Sequence, residues 1–121
     1  MRTYRHEQKY LLFEPQYAQL RPVLAALLAR DRHAGPSGEY MIRSLYFDDV
    51  YNTAYNEKDS GVYARKKYRV RIYNCKDSVI QLECKYKQGA YISKEAVPLS
   101  RAEYQRLLEG DCRFLLDKGA A

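Results

Sequence analysis

The sequence predicts an α+β fold built on a largely antiparallel β-sheet with flanking helices. Segments that alternate polar and apolar side chains recur along the chain, and this period of two is typical of strands. The later segments are separated by short turn-forming stretches, so neighbouring strands are expected to pair antiparallel. Two further segments carry apolar residues at the spacing of helices. Together these observations give the order strand, helix, four strands, helix.

The predicted strands are bounded by residues that favour turns or helix starts. They cover residues 3–13, 40–48, 65–73, 79–87 and 91–99. Residues 74–78 are expected to form a hairpin loop between the third and fourth strands, and residues 88–90 form the next turn. The connection 49–61 is polar, and we expect it to be irregular or briefly helical.

Two helices are predicted from apolar spacing and capping residues. The first covers residues 16–32, and Pro22 within it predicts a kink or a break into two helical pieces. The second begins at Ser100, because Glu103 three residues on completes a capping box.

Length and composition limit the class of protein. A chain of 121 residues, 46% of them hydrophobic, is expected to form a single globular domain over residues 1–121. Its net charge of +6 and pI of 9.2 favour an anionic partner. No segment is apolar for the length of a membrane-spanning helix, so we expect a soluble, cytoplasmic protein. Its three widely spaced cysteines form no CxxC pair, which indicates reduced thiols and argues against structural zinc.

The strand over residues 65–73 carries the main indication of function. One of its faces presents Arg65, Lys67, Arg69, Arg71 and Tyr73. The following strand has a matching polar face, formed by Gln81, Glu83, Lys85 and Lys87. Like charges at this density repel one another unless they are solvated or neutralised. We therefore expect this face to curl around an anion, as the charged inside of an open or closed barrel.

Four short motifs lie in order in four of the predicted strands. They are Arg5-His6-Glu7-Gln8-Lys9-Tyr10, Ser44-Leu45-Tyr46-Phe47-Asp48, Tyr68-Arg69-Val70-Arg71 and Leu82-Glu83-Cys84-Lys85. Together they resemble the VTC domain, the polyphosphate polymerase domain of the vacuolar transporter chaperone family within the triphosphate tunnel metalloenzymes. The resemblance implies an antiparallel β-barrel tunnel that binds ATP, triphosphate or polyphosphate with Mn or Mg. It also implies transfer of the terminal phosphate of ATP to a growing polyphosphate chain.

Carried over by motif, the resemblance implies two sets of tunnel residues. The phosphate-binding set is Lys9, Arg69, Arg71, Lys85 and Lys94. The surrounding network is Arg5, Glu7, Glu83 and Lys87. Glu7 and Glu83 are also the candidates for a metal ligand, although each could simply pair with the lysine two residues on. Lys87 could take the role of Lys94.

The resemblance covers nearly the whole chain but corresponds to the N-terminal half of such a tunnel domain. The family's later arginines and its metal-binding glutamate have no counterpart in these 121 residues. We therefore expect the parent protein to be a phosphotransferase and this chain alone to be inactive. The open edges of a half barrel invite pairing with a second copy, which predicts a homodimer.

Two other functions fit parts of the sequence. The chain could bind polyanions without catalysis, or it could bind single-stranded nucleic acid by stacking bases on tyrosines that interleave the basic strands. Those tyrosines are Tyr68, Tyr73, Tyr86 and Tyr91. Glutamates on the same face would repel a nucleic-acid backbone, so no specific nucleic-acid partner is expected.

Four other polar residues each have a structural interpretation. His6 is expected to be packed or hydrogen-bonded rather than a catalytic base. His33 would complement the dipole at the end of the first helix. Asp48 and Asp49 resemble a metal-binding pair but are equally well explained by hydrogen bonds at a strand end.

Overall fold

The computed structural model describes residues 2–119 and divides into two compact units. One unit combines the residues up to Glu7 with those from Met41 onward, and the other is the segment Gln8–Tyr40. That residues 1–121 form a single domain stays a prediction.

The first unit is built on five strands that all pair antiparallel with their neighbours. They are β1 Arg5–His6, β2 Ile42–Phe47, β3 Ala64–Tyr73, β4 Lys76–Gln88 and β5 Tyr91–Leu99, arranged in the order β1-β5-β4-β3-β2. The predicted α+β fold with an antiparallel sheet is confirmed. Within residues 2–119 the sheet is open, with β1 and β2 at its edges, and no tunnel-type barrel is formed. Five strands are fewer than the roughly eight that close a small barrel.

Four helices accompany the strands in the described part of the chain. They are α1 Glu14–Leu27, α2 Thr53–Asp59, α3 Arg101–Leu108 and α4 Phe114–Asp117. The capping box at the start of α3 is confirmed, since the Glu103 backbone N–H donates to Ser100 Oγ at 3.1 Å and the Ser100 N–H donates to Glu103 Oε2 at 2.7 Å.

The predicted first strand over residues 3–13 is wrong in length, because β1 contains only Arg5 and His6. These two residues pair with Ile92 and Tyr91, and β5 begins at Tyr91. One more backbone bond, from the Glu7 N–H to the Ala90 carbonyl, follows at 3.2 Å. Beyond it β5 offers no backbone with which the chain could continue to pair.

The first helix also differs from its prediction. It runs without interruption through Pro22 and ends at Leu27, so the predicted break at this proline is not found. His33 lies beyond the helix, and its assignment to the helix dipole is wrong. Its ring instead contacts that of Tyr40, with the centroids 5.9 Å apart.

The turn between β3 and β4 is shorter than the predicted loop 74–78, because β4 already begins at Lys76. Asn74 and Cys75 both adopt φ of +54°, the left-handed conformation required by a two-residue hairpin turn. This tight turn places Tyr73 opposite Lys76, and an irregularity between Ile72 and Tyr73 then shifts the register, so that Ile72 lies opposite Ile80.

One face of the sheet forms the core of the first unit. Val70, Ile80 and Leu99 lie on three adjacent strands and pack together with Phe114 of α4, each less than 10% exposed. Hydrophobic side chains of α3 and β2 extend this cluster. Side chains alternate along a strand, so the residues between these positions face the opposite side of the sheet.

Candidate functional site

The opposite face of the sheet is basic, and strand register arranges its cations in rows. Lys67 of β3 lies directly across from Lys85 of β4, which lies across from Lys94 of β5. Like charges placed directly opposite one another destabilise a sheet. We call this set the lysine row. Together with Arg69 and Arg71 it forms the basic face.

A buried carboxylate lies beside the lysine row. Glu83 is 2% exposed, and its two oxygens are bound by different cations. Arg69 Nε donates to Glu83 Oε2 at 2.6 Å, and Lys94 Nζ donates to Oε1 at 3.2 Å. Burial by itself raises the pKa of Glu83, but these two hydrogen bonds outweigh it and hold the pKa below its ordinary value. The carboxylate is therefore ionised at neutral pH.

The arginines of β3 are held by partners on β2 and β4. Arg69 Nη1 lies 3.2 Å from the Tyr46 hydroxyl. Burial opposes the charge of Arg69, but its hydrogen bonds to Tyr46 and Glu83 raise its pKa. The hydrogen bond from Arg69 is in turn the largest cause of the lowered pKa of Tyr46. Arg71 Nε donates to Ser44 Oγ at 3.1 Å.

The other lysines of the row differ in how they are neutralised. Lys85 Nζ lies 3.2 Å from each carboxylate oxygen of Glu7. Lys67 lies over the Tyr46 ring, with its Nζ 5.3 Å from the centroid. Burial lowers the pKa of Lys67; Tyr46 opposes this effect, while Lys85 and Arg69 add to it. The surroundings of Lys67 thus disfavour its charged form.

Most of the predicted phosphate-binding residues converge on this face. Arg69, Arg71, Lys85 and Lys94 lie together on β3, β4 and β5. Lys9 belongs to the second unit, Gln8–Tyr40, and its assignment stays a prediction.

The predicted network residues occupy two positions. Glu7 and Glu83 form ion pairs with the basic face. Lys87 lies across from Arg65 and Ile92, and Ile92 lies across from Arg5, so these cations form the next row toward the end of the sheet.

Three residues of the site were not assigned to it from the sequence. Lys67 shares the strand face of Arg69, and alternation alone indicated that position. Tyr46 and Ser44 were placed together on one face of their strand, but only the pairing of β2 with β3 brings them to the arginines.

Charge accumulates on the basic face. Five cations, Lys67, Arg69, Arg71, Lys85 and Lys94, meet two carboxylates, Glu7 and Glu83. These seven side chains therefore carry a net charge of +3, although three of the cations are paired with a carboxylate. Such an excess on a partly buried surface attracts an anion of several charges.

The candidate metal ligands are engaged by cations. Both oxygens of Glu83 and both of Glu7 accept bonds from the basic face. No group of three or more His, Cys, Asp or Glu side chains that could hold a metal ion is found between residues 2 and 119. The residues of this site thus do not form a carboxylate cage for a divalent ion.

Asp48 and Asp49 bind the start of α2 instead. Asp48 accepts hydrogen bonds from the backbone N–H groups of Ala54 and Tyr55, and Asp49 accepts those of Tyr51 and Thr53. The bond from the Ala54 N–H is the main cause of a lowered pKa of Asp48, and a bond from the Thr53 hydroxyl is the main cause of a lowered pKa of Asp49. Of the two interpretations of this pair, the structure supports hydrogen bonding at a strand end.

The tyrosines considered for base stacking mostly lie across the sheet from the cations. Tyr68 pairs with Cys84, Tyr86 pairs with Ser93, and Tyr91 pairs with Gln88, all at positions that alternate with those of the basic face. Stacking and phosphate contacts by one nucleic-acid strand would require both groups on one side. His6 packs against Tyr91, with the ring centroids 5.5 Å apart, as expected for a packed histidine.

The cysteines and helices add two observations. Cys75, Cys84 and Cys112 are free thiols, and Cys84 is buried at 8% exposure, as predicted for a core position. No helix in the described residues is long and apolar enough to cross a membrane.

Comparison with known proteins provides one match. The family model of the VTC domain matches residues 4–120. No curated protein and no solved structure shows significant similarity to the chain. The match spans all four motifs and all the residues of the basic face. The chain therefore belongs to the VTC domain family, which suggests a role related to polyphosphate polymerisation.

Proposed function

We propose that this chain binds ATP, triphosphate or polyphosphate on its basic face, as part of a polyphosphate polymerase. The lysine row carries the proposal. Lys67, Lys85 and Lys94 lie directly opposite one another on three strands, an arrangement that costs stability unless anions neutralise it. Glu7 and Glu83 pair with Lys85 and Lys94, but with the arginines included the face keeps a net charge of +3. A phosphate chain supplies several negative charges in series, which suits the three positive charges in excess.

The arginines suit the terminal phosphate groups. A guanidinium group donates two parallel hydrogen bonds to phosphate oxygens, and Arg69 and Arg71 direct two such groups to the same side of β3. Transfer of a phosphoryl group depends mainly on holding it in line and stabilising its charge. In this proposal the basic face supplies that positioning when the terminal phosphate of ATP passes to a polyphosphate chain.

A divalent ion, Mn or Mg, is proposed as a companion of the ligand. Mg²⁺ is commonly held by one or two carboxylates together with the phosphates of the substrate. Glu7, with 30% of its side chain exposed, is more accessible to such an ion than Glu83. Titration of tripolyphosphate with and without Mn tests this point, since Glu7→Gln should abolish any gain in affinity that Mn provides.

Binding to the basic face can be tested by calorimetric titration with tripolyphosphate. Arg71→Ala and Lys85→Ala should each weaken binding about tenfold, because each removes a charge-assisted contact worth about 1.4 kcal/mol. Lys66→Ala is the matched control: Lys66 is exposed on the same strand, but it faces the opposite side of the sheet. Normal binding by both variants would show that the ligand lies elsewhere.

Competition separates this proposal from nucleic-acid binding. Tripolyphosphate should displace a bound ATP analogue far better than single-stranded DNA does at moderate salt. Equal competition by DNA would contradict the proposal.

Turnover is a separate question: the sequence predicts that this chain alone is inactive, and polyphosphate formation from ATP with Mn or Mg would overturn that prediction. The cytoplasmic location also stays a prediction.

We further propose that β2 mediates pairing with a second copy. Edge strands of natural proteins are protected by proline, charge or bulges, and Arg43 is the only such feature within β2. Ile42, Leu45 and Tyr46 are 42%, 43% and 52% exposed along it. Antiparallel pairing of two β2 strands about a twofold axis would join the two basic faces into one surface.

The oligomeric state tests the β2 pairing. Leu45→Lys should convert a dimer to a monomer in light scattering, because it places a charge on the paired edge. Leu108→Lys is the control, since Leu108 has a similar exposure of 48% but lies on α3. A monomeric mass for the unmodified chain at micromolar concentration would contradict the pairing.

A further inference from the structure

We infer that Glu83 is a positioning residue, whose buried carboxylate holds Arg69 and Lys94 in place for a phosphate chain without touching the ligand itself. The inference rests on the proposed function and adds a specific role to it. It also assigns Glu83 a role other than that of a metal ligand.

Burial distinguishes Glu83 from every other charged residue of the described chain. It is 2% exposed, and the only other buried polar side chain between residues 2 and 119 is Ser93. An ionised carboxylate is removed from water at a high cost unless cations and hydrogen bonds compensate. Here each oxygen receives one cation, so the carboxylate is compensated only while Arg69 and Lys94 stay in place.

The bonds to Glu83 constrain the orientation of Arg69. Its Nε is bound by Glu83, and its Nη1 is bound by the Tyr46 hydroxyl. These two contacts lie on different strands, β4 and β2, and so prevent rotation of the guanidinium plane. Nη2 has no hydrogen-bond partner among residues 2–119, which leaves it available to a phosphate oxygen.

Lys94 connects the buried carboxylate to the surface. Its side chain is 41% exposed, although its Nζ lies 3.2 Å from a carboxylate that is 2% exposed. A ligand that approaches the basic face therefore meets Lys94 and Arg69 before Glu83. The carboxylate lies beneath the cations, where its repulsion of phosphate is partly screened by the groups that it binds.

Glu7 provides the comparison within the same site. It also binds one cation of the lysine row, Lys85, but 30% of its side chain is exposed. Both glutamates thus carry the same charge on the same face. They differ in depth, since the side chain of Glu83 is only 2% exposed. If charge alone mattered, removing the negative charge of either glutamate would increase the affinity for phosphate.

The sign of that effect is the test. Glu83→Gln and Glu7→Gln each remove one negative charge, which raises the net charge of the basic face by one at nearly constant side-chain volume. Calorimetric titration with tripolyphosphate should show several-fold tighter binding for Glu7→Gln, as simple electrostatics requires. For Glu83→Gln we expect binding about tenfold weaker, despite the higher net positive charge, because Arg69 and Lys94 lose the carboxylate that both of them bind.

A second ligand separates positioning from a general structural defect. Inorganic sulfate needs fewer aligned cations than tripolyphosphate. In Glu83→Gln the affinity for tripolyphosphate should therefore fall more than the affinity for sulfate, while the circular dichroism spectrum of the variant stays unchanged. Arg69→Lys keeps the charge but not the planar fork, and it should also lose about tenfold in tripolyphosphate affinity. This second variant decides the question if Glu83→Gln does not fold.

The outcomes are distinct. Tighter or unchanged binding by a folded Glu83→Gln would overturn the positioning role while leaving the proposed function intact. Wild-type affinity of Arg69→Lys would overturn it as well. Failure of the unmodified chain to bind tripolyphosphate would instead contradict the proposed function.

Discussion

On the apolar face of the sheet, Val70 of β3 and Ile80 of β4 pack beneath Phe114. One residue before Val70, Arg69 lies on the opposite face, where it pairs with Glu83. Both faces bury side chains of the same strands, but they are stabilised differently. The apolar contacts are non-directional and tolerate small movements, whereas the ion pairs depend on distances near 3 Å between particular atoms. The first face is thus stabilised by apolar packing and the second by ion pairs, and it is the second that is proposed to bind the ligand.

Phe114→Ala should produce the largest loss of stability and leave recognition unaffected. Phe114 is 6% exposed in the core cluster, and truncation of a buried aromatic costs about 3 kcal/mol or more. The free energy of unfolding in urea measures the loss. Leu116→Ala in the same helix is the control, because Leu116 is 75% exposed and should change stability by less than about 0.5 kcal/mol. A similar loss in both variants would show that α4 is not anchored through Phe114.

Arg69→Ala should affect both stability and binding. It leaves the buried Glu83 with Lys94 as its one remaining cation, and we expect unfolding to become easier by about 2 kcal/mol. Arg71→Ala is the comparison, since its bond to the Ser44 hydroxyl contributes only about 1 kcal/mol. Equal losses of stability in the two arginine variants would contradict the special role of the buried carboxylate.

Acid should weaken the basic face before it affects the apolar face. The pKa of Glu83 in the folded chain lies below its ordinary value of 4.5. Its ion pairs therefore stabilise the fold fully above pH 4.5, and this contribution is lost as the pH falls from there through the folded pKa. The stability difference between the unmodified chain and Glu83→Gln should narrow over that interval in urea unfolding. A difference that stays constant down to pH 3 would contradict this expectation.

Ser44→Ala should have the smallest effect. It removes the 3.1 Å hydrogen bond to Arg71 Nε and should cost about 0.5 to 1 kcal/mol of stability. Tripolyphosphate affinity should fall by a few-fold, less than in Arg71→Ala, because the guanidinium group remains but is less restrained. A loss of affinity as large as that of Arg71→Ala would show that Ser44 itself contacts the ligand.

The sequence by itself determined the division of the sheet into a basic and an apolar face. Alternation is a local property of an extended chain, so the positions of Arg69 and Val70 on opposite sides followed directly from their order. The capping box of Ser100 and Glu103 was equally local, and it marked the start of α3 correctly.

Tertiary structure decided which residues meet across the strands. The lysine row depends on the register of three strands. Between β3 and β4 that register comes from the tight turn at Asn74 and Cys75 combined with the register shift between Ile72 and Tyr73, and not from either strand alone. The length of β1 was likewise decided by where β5 begins. The burial of Glu83 depends on cations from β3 and β5 together. These features arise from the pairing of segments that are distant in the sequence, and the local pattern of residues does not specify which segments pair.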